Sequence, residues 1–495
     1  MLAALLASLL LVTSQARAAV VSPPLQIDPT RSLAEQFGYA PAYTRNVPGF
    51  DSEGRAYIRS RVAGQDDTSY VNALTTDGWA RFDLIAALRA AYPDYVDTVG
   101  AGGMLSARIE FDTQDRAYTV LTIRREEGEF VNVLMYSLDR CRTWRVAELP
   151  FGDQPAVFDG KYRGNVACEH FTGHNTVDGP PFIAVWRTIE DWPGSWAARN
   201  QLFVLQPYFV GDDLVVPPPV RVTDRFLGML QAAGDSSFAA STVRKTYFTW
   251  TEVTVPGQGG SPVYVAVYDR ASGKITSRRM VARAQPLNDC HATPGICLDS
   301  TGVLHVVTGA HNQPFRYTHS LAPYDIRSWT AQKFVLSSGY RTHGDDTDGL
   351  AYQTYLSFVC DPRDTLHIVF RQSRRGVDTL FNGRGYRALC HQSRPSGGSW
   401  SPSTVIATGI RQERYVNYFQ RLSISPSGKL FVSFSFFTQD LPETLWPYTV
   451  FRQRVVLVSG NGLSWRFATD EDLAPPPPVS PEPAPDPAPP VAPAP

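Results

Sequence analysis

The 495-residue chain has little of what would place it among helical or membrane folds. Long helical periodicity is scarce, and Arg81 to Tyr92 is the main stretch that carries it. Past the first 18 residues, no run approaches the roughly 20 apolar residues that cross a bilayer. Charge of one sign is lacking too, since 46 Lys and Arg against 47 Asp and Glu leave −1. That balance excludes a generally basic nucleic-acid binder. The six cysteines, Cys141, Cys168, Cys290, Cys297, Cys360 and Cys390, show no paired CxxC spacing, so thiolate metal sites of the zinc-ribbon kind are not indicated. What the chain does have is 43% hydrophobic and 12% aromatic residues, enough for a large core and far from the composition of a disordered protein.

The two ends differ from the middle. Leu2 to Val12 is apolar and is followed by a polar break and the small-residue site Ala16-Arg17-Ala18, the pattern of a secretory signal over residues 1–18. The chain is therefore expected to be secreted or periplasmic, with no membrane attachment once the signal is cleaved. Ala474 to Pro495 is mostly Pro and Ala, which favours extended conformations and gives nothing to pack, so residues 474–495 read as a tail.

Between these ends, residues 19–473 carry one pattern seven times. A turn-forming or hydroxyl residue is followed three positions on by Gly, Asp or Arg, and three further by an aromatic or His that opens an apolar strand. The copies are Asp51-Gly54-Tyr57, Asp112-Asp115-Tyr118, Thr176-Gly179-Phe182, Ser241-Arg244-Tyr247, Asp299-Gly302-His305, Asp361-Asp364-His367 and Ser425-Gly428-Phe431. Their aromatic positions are spaced by 61, 64, 65, 58, 62 and 64 residues, the length of one four-stranded sheet with its loops. An Asp, Ser or Thr side chain can bond its own backbone two residues on, and Gly accepts the positive φ of a tight hairpin. Runs such as Leu366-His367-Ile368-Val369-Phe370 supply the strands. The expected fold is all-β, a seven-bladed β-propeller of four-stranded antiparallel blades, and a monomer.

A second signal, Ser137-Leu138-Asp139 with Thr143-Trp144, resembles the Asp-box hairpin of sialidase-type propellers, with Cys141 where Gly is usual. Ser393 to Trp400 is a degenerate echo carrying Gly397. Such boxes are turn motifs and say little of chemistry.

The densest chemistry lies from Cys290 to Ser320 and on the two blades after it. His291 and His311 are 20 residues apart, Tyr355 precedes Arg371 by 16, and Tyr418 stands on the last blade. Over roughly residues 285–437 this resembles the propeller family, related to bacterial neuraminidase repeats, that includes ulvan lyases and the rhamnose–glucuronate lyases acting on gum arabic. The resemblance implies an active site of His291, His311, Tyr355, Arg371 and Tyr418. It also implies an anionic polysaccharide as partner, with no required cofactor. Asn312, Arg375 and Arg414 are expected to bind substrate. A structural divalent cation is left open, and no metal ligands are assigned.

Those residue types suit β-elimination beside a uronate. The C5 proton must be taken next to a carboxylate whose charge opposes carbanion formation, and a guanidinium such as Arg371 neutralises that carboxylate bidentately. A neutral imidazole suits the proton abstraction and a phenol the protonation of the leaving oxygen. The roles read His311 as base, Tyr355 or Tyr418 as acid, and His291 as partner. His305 and His367, at the repeat's aromatic position, read as packing residues, as do Tyr317, Tyr352 and Tyr415. His170 and His174 are metal ligands by type, yet no third ligand accompanies them. From Arg371 to Arg421 nine Arg face only Asp378 and Glu413, a local +7 suited to a polyanion. Two other classes of function share the scaffold. A sialidase-like hydrolase needs an Arg triad and an early Arg-Ile-Pro, which the strand from Tyr57 to Arg61 lacks. A non-catalytic carbohydrate-binding propeller needs only the ring and its charge.

Overall fold

The structure, a computed structural model, describes residues 25–27, 47–60, 70–75, 78–98, 108–126, 128–150, 166–171, 173, 178–191, 198–228, 236–335, 353–374, 386–409, 418–436 and 453–475. These form seven antiparallel four-stranded sheets, each built from consecutive chain and set as blades around an axis. The innermost strands of blades I to VII are Gly49–Phe50, Glu110–Phe111, Val166–His170, Ala239–Ser241, Pro294–Leu298, Gln353–Cys360 and Tyr418–Ile424. The expected helix is Leu84–Ala91, capped by Asp83 through its bonds to the Ile85 and Ala86 amides. It starts three residues later than the periodicity implied because Gly78–Asp83 is the outer strand of blade I.

The repeat is the turn between the first and second strands of a blade, and its chemistry explains its residues. In the four Asp copies one carboxylate oxygen accepts the amide four residues on: Arg55 at 2.9 Å, Arg116 at 3.0 Å, Val303 at 2.9 Å and Thr365 at 2.8 Å. The other oxygen meets the side chain six residues on: the hydroxyls of Tyr57 and Tyr118 at 3.1 and 2.7 Å, and Nε2 of His305 and His367 at 3.0 and 3.3 Å. The aromatic position of the repeat is thus the partner of the turn carboxylate, which is why Tyr and His serve and why His305 and His367 are buried there. The residue between, at the third step, has positive φ in Gly54, Asp115, Gly302, Asp364 and Gly428. Blade IV departs from the repeat. Its turn runs from Thr242 to Lys245, with the Thr242 amide donating to the Lys245 carbonyl at 2.7 Å, and Arg244 has no positive φ. Thr176 lies outside the described residues, although Gly179 keeps φ 116°.

Neighbouring turns are latched to one another. Ser52 donates its amide and hydroxyl to the Asp115 carboxylate at 2.7 and 2.9 Å, and Ser300 treats Asp364 the same way. Contacts also cross the ring between blades that are not neighbours. Ser236 Oγ, leading into blade IV, donates to the Leu356 carbonyl of blade VI at 2.8 Å, and Arg108 of blade II donates to the Leu422 carbonyl of blade VII at 3.0 Å. Gly295 sits where blades IV, V and VI meet, and a Cβ there would lie 2.8 Å from Phe358 and 2.9 Å from Ser236. The ring closes by packing: Ser423 Oγ donates to the Pro48 carbonyl at 2.7 Å, and the Phe50 and Phe431 rings are 5.0 Å apart. Leu25–Ile27 adds a parallel strand to the outer edge of blade VI, an addition no turn signal announced.

The Asp-box is formed. Asp139 accepts the Thr143 amide and hydroxyl at 2.8 and 2.7 Å, Ser137 Oγ accepts the Cys141 amide, and Cys141 has φ 70° where Gly is usual. Gly397 takes the matching place in blade VI with φ 67°. Among the described residues no helix is long and apolar enough to cross a membrane.

Candidate active site

Every innermost strand runs toward its repeat turn, so residues before that strand and at the end of the next one lie at the opposite mouth of the ring. There the structure gathers His291, His311, Tyr355 and Arg371. His291 precedes the first strand of blade V. His311 leaves blade V altogether: it opens a three-residue strand, His311–Gln313, that pairs with the innermost strand of blade VI. Its backbone lies opposite Thr354, which lies opposite Arg371. At the usual strand separation this sets the His311 and Arg371 backbones about 10 Å apart.

The side chains form a row of tilted rings ending on the guanidinium. The His311 and His291 ring centroids are 4.3 Å apart, those of His291 and Tyr355 5.1 Å, and the Arg371 guanidinium carbon lies 4.4 Å from the Tyr355 centroid. Tyr355 and Arg371 are buried, at 3% exposure each, whereas the His311 side chain keeps 23%. Tyr355 adopts φ 63°, in the left-handed region that bulky residues avoid. It stands at a β-bulge, where Tyr355 and Leu356 oppose the single residue Phe370 between the Thr354–Arg371 and Ser357–Val369 pairs. Such a conformation costs on the order of 1–3 kcal/mol and persists where surroundings hold it; here the buried Gln420 amide donates to the Tyr355 carbonyl. The bulge turns the phenol toward His291 and Arg371.

Sequence reasoning missed Asp289. Its Oδ1 lies 2.5 Å from His291 Nδ1 and its Oδ2 2.9 Å from His311 Nδ1. Burial would raise its carboxyl, but hydrogen bonds from both imidazoles hold it well below the usual carboxylate range. Burial also lowers the His291 pKa; Asp289 opposes this, while the positive charge of Arg371 adds to it. The signal available was an Asp two residues before a His, the spacing at which a carboxylate bonds the His amide, here at 2.8 Å. Desolvation of the half-buried Cys290 pushes its thiol up to about 12 and leaves it unreactive. Asp289, His291 and His311 are also the set that could hold a metal ion, their donor atoms all lying within 4.8 Å.

Other expected residues fall elsewhere. Tyr418 opens the innermost strand of blade VII, opposite Ser435. Asn312 lies within the His311–Gln313 strand. Arg375, Arg414 and His174 lie outside the described residues. His170 is no metal ligand in this structure: its Nδ1 meets Glu110 at 2.7 Å and its Nε2 the Arg108 carbonyl at 3.2 Å. The Arg-rich stretch is less of a surface patch than its charge implied. Arg371 and Arg421 are buried, and Arg394 lies over the Tyr317 ring at 4.9 Å.

Residues 246–444 match the family described as BNR repeat-containing family member. No curated protein matches the chain. Among solved structures it is similar to an ulvan lyase at 12% identity, over 46% of this chain and 52% of that one, with a TM-score of 0.32. A Trypanosoma rangeli sialidase matches at 11% identity over 79% of this chain and 58% of that one, with a TM-score of 0.36. An Aleuria aurantia lectin matches at 9% identity over 74% and 98%, also at 0.36. The chain spans about half the length of the ulvan lyases it matches. At such identities and TM-scores these matches decide nothing of the chemistry, which must be read from side chains. In fold the chain is a seven-bladed β-propeller, and its residues 246–444 are similar to the BNR repeat family.

Proposed function

We propose that the chain is an exported polysaccharide lyase that cleaves uronate-containing anionic polysaccharide by β-elimination, at ulvan-like or rhamnose–glucuronate linkages. The observation that carries this reading is the row of His311, His291, Tyr355 and Arg371 at one mouth of the ring. A guanidinium, a phenol and imidazoles within reach of one sugar ring are what the elimination needs. Arg371 pairs with the C5 carboxylate and stabilises the charge that builds onto it as the C5 proton leaves. His311, the more open imidazole, takes that proton. The C5–H electrons become the C4–C5 double bond, the C4–O bond breaks, and Tyr355 protonates the departing oxygen, with Tyr418 the alternative donor. His291, half-buried and with its pKa lowered by desolvation, separates base from acid without adding a cation that would compete for the carboxylate.

The test is a screen of purified protein against ulvan, gum arabic and glycosaminoglycans, read by absorbance near 230 nm, which elimination alone produces. Rising absorbance on a uronate polymer supports the reading. Retention of these polymers with no unsaturated product, unchanged by His311→Ala with Arg371→Ala, favours a carbohydrate-binding propeller instead.

A further inference from the structure

One carboxylate serves two imidazoles at this mouth, and its own placement is tightly built. Asp289 is 5% exposed. The residue before it, Asn288, is pinned to blade IV: its amide donates to Ser261 Oγ at 2.7 Å, its side-chain oxygen accepts the Thr254 amide at 2.9 Å, and its side-chain nitrogen donates to the Thr254 carbonyl at 2.7 Å. The residue after next, His291, gives its amide to Asp289 Oδ1, and Ala292 gives its amide to the Asp289 carbonyl at 3.0 Å. On the other side Gly309 lets the chain leading to His311 pass close, since a Cβ there would lie 2.9 Å from the His291 carbonyl. An ionised carboxylate only accepts hydrogen bonds, so each ring nitrogen facing it must carry the proton. In a neutral imidazole that leaves Nε2 with the lone pair.

We infer that Asp289 is a positioning residue: its two oxygens fix His291 and His311 together as Nδ1–H tautomers, so that Nε2 of His311 is the nitrogen that accepts a proton from substrate. The inference rests on the lyase reading for its catalytic consequence, and its tautomer claim stands independently of it. Ligation of an ion by the same three residues is the rival. Zinc at about 2.0–2.1 Å from each donor in a tetrahedral site would hold donors about 3.3 Å apart. The observed 2.5 and 2.9 Å are hydrogen-bond separations instead.

The experiment uses the full chain labelled with ¹⁵N at histidine and long-range proton–nitrogen correlation, with His291→Gln and His311→Gln variants to assign the two rings. Both rings are expected as Nδ1–H tautomers. Asp289→Asn keeps the shape and an oxygen for the His291 amide but sets a competing donor against one imidazole. It is expected to move at least one ring to Nε2–H, lowering kcat on the 230 nm assay by about 10²- to 10⁴-fold with little change in KM, the size seen when an orienting carboxylate is lost and the tautomer reverses. Finding Nε2–H rings in the unaltered protein, or stoichiometric zinc with neither Nδ1 protonated, overturns the proposal. So does an Asp289→Asn protein with reversed tautomers and unchanged kcat. Should no uronate polymer be cleaved by the unaltered protein, the lyase reading fails, while the ring tautomers still decide whether Asp289 does what is proposed.

Discussion

The two mouths of the propeller use the same residue types to opposite ends. At the turn mouth, Asp299, His305 and Tyr317 form a closed chain: His305 Nε2 meets Asp299 and its Nδ1 meets the Tyr317 hydroxyl at 2.7 Å. Asp361, His367 and His391 repeat it, with His367 Nδ1 3.1 Å from His391 Nε2. Both nitrogens of each turn histidine are consumed, and the rings are buried. At the other mouth Asp289 engages one nitrogen of His311, and among the described residues no hydrogen-bond partner engages the other. A histidine with both nitrogens satisfied is scaffold. One fixed at a single nitrogen and open at the other is equipped for proton transfer.

The sharpest way to break this comparison is to remove the open side chains. His311→Ala is expected to lower the rate of unsaturated-product formation by about 10²- to 10⁴-fold while polymer retention persists. Tyr355→Phe, which keeps the buried ring over Arg371 and removes only the hydroxyl, is expected to cost a similar factor with the urea midpoint unchanged. Equal rates in Tyr355→Phe and the unaltered protein would pass the role of acid to Tyr418.

Substitution at the turn mouth is expected to do the reverse. Asp361→Ala leaves the Arg363 and Thr365 amides and His367 without their acceptor, a loss of about 2–4 kcal/mol in urea unfolding, with specific activity of the folded fraction retained. Burial pulls the Asp361 carboxyl upward, but the bonds from His367 and the backbone win and hold it at about 2; Asp299 behaves alike. With folded-state values depressed below the ordinary value near 4, these groups contribute stability above about pH 4, which is lost as pH falls through about 2. Acid unfolding followed by tryptophan fluorescence should therefore be shallower in Asp361→Ala. An identical acid profile would show that the turn carboxylates do not govern it.

The turn mouth was legible in the sequence and the open mouth only in part, for a physical reason. Each turn closes within six residues, so the partners of Asp51 or Asp361 are found by counting along the chain. Blade IV keeps the spacing of the repeat, since Ser241 ends its first strand and Tyr247 lies in its second, but not the turn geometry, because Ser241-Arg244-Tyr247 has neither a carboxylate nor a residue suited to positive φ. His291, His311, Tyr355 and Arg371 were implied by the family resemblance that their spacing carries, yet their convergence depends on His311 crossing to blade VI and on the bulge at Tyr355, which no local pattern records. Asp289 was missed because an Asp beside a turn has many local uses, and its second oxygen reaches a residue 22 positions away.

The smallest expected effect separates conformation from chemistry within the scaffold itself. Gly397 and Cys141 hold matching places in two turns with φ 67° and 70°, yet one is Gly and the other carries a buried side chain. Nothing lies within 4 Å of where a Cβ on Gly397 would stand. Gly397→Ala therefore introduces no clash and isolates the backbone cost of the left-handed region, about 1 kcal/mol. Urea unfolding should register that loss with no change in lyase rate or polymer retention, since the turn is at the mouth remote from His311. A loss several times larger would mean that Cys141 is tolerated only because its buried thiol offsets the strain, and Cys141→Gly would then destabilise the protein. A loss near 1 kcal/mol would mean that the turn tolerates any small residue at this place.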